Sequence, residues 1–447
     1  MNKNEFVDKL FAAAKEAGIG DCETYSVTAD ESQIMVENKQ INQYSVSTVG
    51  GLSFRGLVNG KMGYASTEVL DDAAVEQLVK GVIESAELSE QEVQPEIFAG
   101  SPEYPEYNGN KPEIDKVTET DLIRICHELE DKALEYDSRI KQVNYSVAFR
   151  ASQVIEIDNS LGLHLSDKQN YLGAMVGTVA RDGEKVANES ASRIAFALSD
   201  FDTDELVKRA CDDSIFMLDA SPVNSGKYRT IIKNSAMTSL LGTFAGMFSS
   251  ENAQNGMSLL AGKEGQKIAA DNVTIIDDPL NERGSESRSF DDEGVACYKK
   301  NVVEGGILKT LLYNLKTARK AGTTSTGNGR KPGYAGAVTV APSNLYIAPG
   351  EKSVEELEKL IGSGIVICDV SGLHAGANMI SGDFSLIASG YTVLDGKKDK
   401  ALNQVTLAGN MYELLLAIQD VGNDIISERG TLCCPSVYAG EMAIAGK

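Results

Sequence analysis

Apolar residues return at helical spacing near the start of the chain. Phe6, Leu10, Ala13, Ala14 and Ala17 fall on one face, Asn2 and Glu5 form a capping-box pair, and Gly18 supplies a stop. The pattern then shortens to that of strands, over residues 23–28, 33–37, 44–48 and 51–57. A second amphipathic stretch, about 71–88, closes this unit. Residues 89–116 follow, polar and holding Pro95, Pro102, Pro105 and Pro112, four of the ten prolines. Such a segment reads as a linker or a long irregular crossing.

The next unit repeats the first. Tyr25-Ser26-Val27 recurs as Tyr145-Ser146-Val147, and Ser32-Gln33-Ile34 as Ser152-Gln153-Val154, both 120 positions on. Leu78-Val79-Lys80 recurs as Leu206-Val207-Lys208, 128 positions on, which implies about eight inserted residues between. Each unit also opens on a helix, 6–17 in the first and 122–136 in the second. A duplicated helix–strands–helix unit is expected, its two sheets packed as a pseudo-symmetric pair.

After Ser221-Pro222 the character changes. Two Gly-rich segments appear, 322–336 and 362–390. The spacing predicts helices over 235–248, 308–320 and 353–361, the last with Ser353 and Glu356 as a capping box and Gly362 beyond its end. Strands are expected at 365–370 and 404–407. Strand clusters alternating with helices argue an α+β fold rather than a doubly wound parallel sheet. The expected division is 1–115, a repeat-like 116–222, and a β-rich, Gly-rich 223–447.

Composition narrows the function. Asp plus Glu number 65 and Lys plus Arg 42, so the formal charge is 42 − 65 = −23 over 447 residues. Nucleic acid is gripped by cations that displace phosphate counterions, and an anionic membrane repels such a chain. No apolar run approaches the roughly 20 residues that span a bilayer. Asp8, Lys9 and Lys15 interrupt the first apolar stretch, unlike a signal peptide. Seven scattered cysteines have no framework spacing. A cytoplasmic, reduced protein is expected.

The motifs are mostly incomplete. His127-Glu128 begins a zinc-protease signature, but the next histidine is 37 residues away and the apolar face of that helix is Leu122, Ile125, Cys126, Leu129 and Ala133. His127 therefore belongs to a surface helix. His164, between Leu163 and Leu165, reads as a half-buried strand residue. His374 sits in a Gly-rich loop with no Ser or Cys nucleophile motif beside it. The stretch from Gly322 to Gly327 leads into Asn328 where a phosphate loop would place Lys, and no G-x-S-x-G elbow occurs. Cys433-Cys434 is a vicinal pair without C-x-x-C spacing. Asp291-Asp292-Glu293-Gly294 lacks EF-hand spacing and reads as an acidic turn.

Several motifs in register do carry a resemblance. Phe290-Asp291-Asp292-Glu293-Gly294-Val295, then Ser325-Thr326-Gly327-Asn328-Gly329, then Gly372-Leu373-His374-Ala375-Gly376-Ala377-Asn378 with Ser381-Gly382-Asp383-Phe384-Ser385, resemble the TldD/PmbA family. Val421-Gly422-Asn423-Asp424 and Glu441-Met442-Ala443-Ile444-Ala445-Gly446 fit it too. The matches are densest from about 230 to the end. The resemblance implies a cytoplasmic metalloprotease built of paired subunits that cleaves peptides; an older name is modulator of DNA gyrase. In the TldD type a helical His-Glu-x-x-x-His and a later Cys bind zinc. Here the corresponding positions fall near Leu241 and Gly246, which offer no ligand, while Cys434 matches the ligand Cys without partner histidines. The chain is similar to the PmbA (TldE) branch. The resemblance thus implies no catalytic or metal residue and no cofactor in this chain, with zinc in a TldD-type partner. The substrate would be unfolded peptide, captured at an exposed sheet edge and in a channel lined by His374, Asn378 and Asp383. The alternative is a homodimeric peptide-binding or regulatory protein without hydrolytic activity.

Overall fold

The computed structural model describes residues 1–90 and 94–447. Its first half is one antiparallel sheet of six strands in the order β3-β2-β1-β4-β5-β6. The strands are β1 (Cys22–Glu37), β2 (Gln40–Val58), β3 (Lys61–Thr67), β4 (Ile140–Asn159), β5 (His164–Asp182) and β6 (Lys185–Ala195). Helices α1 (Lys3–Glu16) and α2 (Asp72–Leu88) cover the first three strands. Helices α4 (Glu119–Tyr136) and α5 (Thr203–Met217) cover the second three, and a short α3 (Pro112–Asp115) lies between. The duplication is present, but the expected pair of packed sheets is replaced by one continuous sheet. Its two halves join where β1 pairs with β4, and the repeat-equivalent residues Glu31 and Ala151 face each other there. A twofold through that pair maps each strand onto the other. An edge strand of one unit met its own copy, and pairing removed two open edges at once.

The strands are longer than the apolar pattern predicts. Runs 23–28 and 33–37 are one strand, because the polar residues between them are bonded on both sides, to β2 and to β4. The turn after β1 falls at Asn38 and Lys39, both at positive φ, the geometry of a tight hairpin. Only Leu52–Val58 of β2 pairs with β3, so the outer edge of residues 40–51 stays open. The segment after α2 proves to be a crossing rather than a free linker: Ile97 and Ile114 are buried, and Phe98 O accepts from Asn159 Nδ2 at 2.8 Å. Part of it, residues 91–93, lies outside the described residues.

The second half builds around β7 (Gly226–Ile232). β7 pairs in parallel with Gly364–Ser371, which continues to Asp383–Leu394 and Lys397–Asn410; on its other side lies Val437–Ala445. Lys397–Asn410 pairs with Val437–Ala445 as well, so the sheet closes on itself. Helix α6 (Asn234–Phe244) follows β7 directly and packs Met237, Leu240, Leu241 and Phe244 inside this curl. It is shorter than predicted, tightening to a 3₁₀ turn at Ala245–Phe248. The helix expected over 308–320 starts only at Leu315, where Asn314 and Thr317 cap it; Ile307–Leu308 is a strand instead. The capping box of Ser353 and Glu356 is present as predicted.

The helix-free face of the first sheet docks on the second half. Tyr25 and Ile157 are cross-strand partners there, and with Ile155 they receive Phe290, which is 2% exposed. Phe290 is thus the apolar anchor between the halves. Phe290→Ala should cost about 3–5 kcal/mol by transfer and cavity terms together. Urea unfolding of the two proteins measures it; a loss below 1 kcal/mol would mean that the junction relaxes to fill the space.

Candidate functional site

The first place to look is α6, because the family resemblance puts its metal ligands there. The helix presents Leu240, Leu241 and Phe244, each fully or almost fully buried. Cys434 does lie against it: the Cys434 N–H donates to Thr238 Oγ1 at 2.9 Å. Burial pushes this thiol up to about 12, so it stays protonated and is a poor metal ligand. Cys433 and the other five cysteines are free as well. Among the described residues no three His, Cys, Asp or Glu side chains gather in a group that could hold a metal. One protonated thiol among leucines does not fit zinc, which needs three protein ligands or more. His127 is half-buried on the outside of α4 as expected. His164 differs from expectation: it is 65% exposed at the start of β5, with Nδ1 against Asp158, because the strand begins there.

The three channel candidates share one exposed loop. Asn378 Oδ1 accepts from the N–H of Ile380 and of Ser381, at 3.0 and 3.1 Å, which folds a tight turn. The Asn378 N–H donates to Asp383 O at 2.8 Å. The Asp383 carboxylate accepts from Asn410 Nδ2 and Ser381 Oγ, both at 2.8 Å, and these bonds hold it below the usual carboxylate range. Asn378 and Asp383 therefore come together and line one shallow depression beside exposed Met379 and Ile380. Both are spent on shaping the turn. His374 stands apart on the short helical turn Leu373–Gly376, exposed.

The densest chemistry lies where the two halves meet, and it departs from the sequence reading. Asp291-Asp292-Glu293-Gly294 is a turn, closed by Gly294 N–H to Asp291 O at 3.0 Å, but it is deeply buried. Exposures are 0, 3 and 5% for the three acids. Asp291 takes the N–H groups of Glu293, Val295 and Gly329 at 3.0, 3.0 and 2.8 Å. Asp292 accepts from Tyr25 Oη at 3.0 Å and from the Lys331 N–H at 2.7 Å, and pairs with Arg288. The Lys331 ammonium sits 4.5 Å from the Tyr25 ring centre and donates to Ser53 Oγ. On the sheet, Arg55 pairs with Glu23, Nη2 to Oε1 at 2.6 Å. Glu293 receives one bond, from the Leu315 N–H at 2.7 Å.

Among the described residues Asp291 and Glu293 have no cation within ion-pair distance, and the Arg55 charge acts on Glu293 from farther away. Burial raises Asp291 to about 6 despite its three N–H donors. Burial, then the charge of Asp291, raises Glu293 to about 7. Burial also lowers Lys331 to about 8, with Arg55 adding to the effect. Nothing in the sequence marked these groups as buried; flanking Phe290 and Val295 were the available signal.

The sign of the pH effect follows. The folded chain keeps a proton on Glu293 that the unfolded chain releases above its ordinary value of 4.5. This group's contribution to stability is therefore full at acid pH and lost as pH rises through about 7. Glu293→Gln should gain about 1–3 kcal/mol relative to the parent between pH 5 and 8. Urea unfolding at both pH values decides it, and parallel profiles would refute the assignment.

Comparison with known proteins agrees with this architecture. Models of the PmbA/TldA metallopeptidase domains match residues 22–86 (domain 1), 112–218 (central domain) and 225–446 (C-terminal domain). An uncharacterized protein of Methanocaldococcus jannaschii is 28% identical over 440 residues, covering 98% of this chain and 99% of its own. Metalloprotease PmbA of Escherichia coli O157:H7 is 27% identical, covering 92% and 88%. A Thermotoga maritima crystal structure, of a protein named for modulation of a DNA gyrase, superposes with a TM-score of 0.91 at 33% identity, covering 99% and 100%. TldE from Thermococcus kodakarensis shares the fold, with a TM-score of 0.87 at 22% identity over 99% and 100%. Matched by all three domain models in their order, the chain belongs to the PmbA/TldD metallopeptidase family.

Proposed function

We propose that this chain is the subunit of a TldD/TldE-type peptidase that does not bind zinc, acting on unfolded peptides beside a TldD-type partner. The carrying observation is α6. Of the two positions near which the resemblance puts the metal-binding type's histidines, Leu241 lies in a closed apolar core beside Leu240 and Phe244, and Gly246 lies in the 3₁₀ turn that follows the helix; neither offers a ligand. Zinc in the partner would supply the activated water, and this chain's share is to bind and orient the peptide. Two surfaces support that share. The open edge of residues 40–51 carries unpaired backbone groups beside exposed Ile41, Tyr44, Val46 and Val49, which suits β-augmentation by extended peptide. The loop of His374, Asn378 and Asp383 carries exposed Met379 and Ile380, apolar side chains suited to a partner or a peptide side chain. No helix among the described residues is long and apolar enough to cross a membrane. A charge of −23 gives the gyrase name no physical support as DNA contact.

Elemental analysis of the dialysed chain should find well under one equivalent of zinc. An unfolded peptide should be cleaved only when this chain and the TldD-type partner are mixed, and a chelator should stop it. Chelator-resistant cleavage by the repurified chain alone overturns the reading. Partner activity indifferent to this chain would favour the homodimeric regulatory alternative.

A further inference from the structure

Strands Ile275–Asp277 and Lys300–Glu304 run antiparallel in the second half, and their register sets Asp277 opposite Lys300. Asn328, just before the short strand Gly329–Arg330, reaches the same point from the Gly-rich segment. Asp277, Lys300 and Asn328 are buried together, with exposures of 0, 7 and 0%. Lys300 Nζ lies 3.2 Å from Asp277 Oδ2 and 3.3 Å from Asn328 Oδ1. Asn328 Nδ2 donates to that same Asp277 Oδ2 at 2.8 Å and to Ala341 O at 3.1 Å. Asp277 Oδ1 is held separately by the Ser343 N–H at 2.7 Å. The Tyr298 ring centre lies 4.6 Å from Nζ.

A structural ion pair needs only Lys300 and Asp277. Here one carboxylate oxygen touches both an amine and the nitrogen of a carboxamide, and the amine also touches the carboxamide oxygen. A nucleophile, an acyl group and its leaving nitrogen are thus gathered around one proton acceptor. The acyl oxygen has a donor of its own, because Thr326 Oγ1 donates to Asn328 Oδ1 at 2.7 Å. Charge that collects on this oxygen during attack is thereby stabilised. The flexible lysine stem can carry Nζ from the oxygen to the carbon one bond behind it. Groups held in reacting geometry reach effective molarities of roughly 10⁵–10⁸ M, which offsets the low reactivity of a carboxamide.

We propose that Lys300 and Asn328 are joined by an isopeptide bond formed inside the folded chain, with Asp277 moving the protons. The Lys300 ammonium gives one proton to Asp277 Oδ2, and the freed lone pair forms the Nζ–Cγ bond. Asp277 passes that proton to Nδ2 as the Cγ–Nδ2 bond breaks. A second proton leaves Nζ for the departing nitrogen by the same oxygen. The products are a secondary amide, ammonium and the Asp277 carboxylate as it began. The step needs no metal, oxidant or partner, so it stands apart from the peptidase reading. The bond closes residues 300–328 into a covalent ring and fixes the strand whose Gly329 N–H holds Asp291.

Denaturing mass spectrometry of the purified chain decides it. The intact chain should weigh about 17 Da less than its sequence requires, the mass of one ammonia. Trypsin does not cut after an acylated lysine, so its digest should contain one branched peptide joining position 300 to position 328. Lys300→Arg keeps the charge but not the nucleophile, and should return the full mass with no branched peptide. Asp277→Asn, with circular dichroism as the check on folding, should also stay unlinked. A parent chain at full mass overturns the proposal. So does a loss that persists in Lys300→Arg, which assigns it to succinimide formation at an Asn-Gly pair such as Asn328-Gly329. Linkage at the parental level in folded Asp277→Asn overturns the role given to Asp277.

Discussion

Desolvated charge at the junction is the constraint on which the arrangement of the two halves depends. Five carboxylates are carried into or near it: Glu23, Asp167, Asp291, Asp292 and Glu293. Removing a carboxylate from water costs several kcal/mol unless donors replace the solvent. Here the donors come from both halves. Glu23 is met by Arg55 on the neighbouring strand, Asp167 of β5 by Ser289, and Asp292 by Tyr25 of β1. Separating the halves would strip Asp167 of Ser289 and Asp292 of Tyr25. The apolar contact of Phe290 supplies attraction, and the polar contacts that cross between the halves fix their relative position.

The same constraint explains a backbone feature. Gly329 donates to Asp291, and a Cβ there would sit 2.9 Å from Glu293 Oε2 and 3.0 Å from Asp291 Oδ2. A side chain would push apart the two acids that the turn holds together. The N–H can approach a carboxylate this closely because nothing projects from the α-carbon. Within the Gly-rich segment recognised in the sequence, Gly329 is thus a packing surface for two carboxylates.

Much of the fold was legible because its causes are local. The capping boxes at Asn2 and Ser353, the apolar faces of α1 and α4, and the stop after residue 361 are all written within a few positions. The duplication was legible as well, from identities at a fixed offset. The single sheet was not, because its joint is a pairing of residues 120 apart, and sequence periodicity carries no information about which edge meets which. Asp30 and Glu31 fell between two predicted strand runs for the same reason. Their strand character comes from β2 and β4 on either side. The acidic turn misled in the opposite sense: turn chemistry was correct, but burial depends on a sheet more than a hundred residues earlier. The loop of Asn378 and Asp383 was found by motif, whereas its hydrogen bonds give those side chains a shaping task.

The position of α6 links stability to function. In a metal-binding helix the residues facing the site must stay polar and partly solvated, at a cost in packing. In this chain Leu241 belongs to the same apolar cluster as Ile232, Ile365, Val405 and Val437, and Gly246 sits in the 3₁₀ turn beyond the helix. Substituting histidines at Leu241 and Gly246 would not restore a site. It would press an imidazole at 241 into an apolar core, where burial disfavours the charged form. The apolar filling therefore goes beyond a missing ligand pair: it makes the helix a structural spine for the strand that precedes it and the loops that follow. A subunit built this way can lend rigidity and binding surface to a reaction whose metal lies elsewhere.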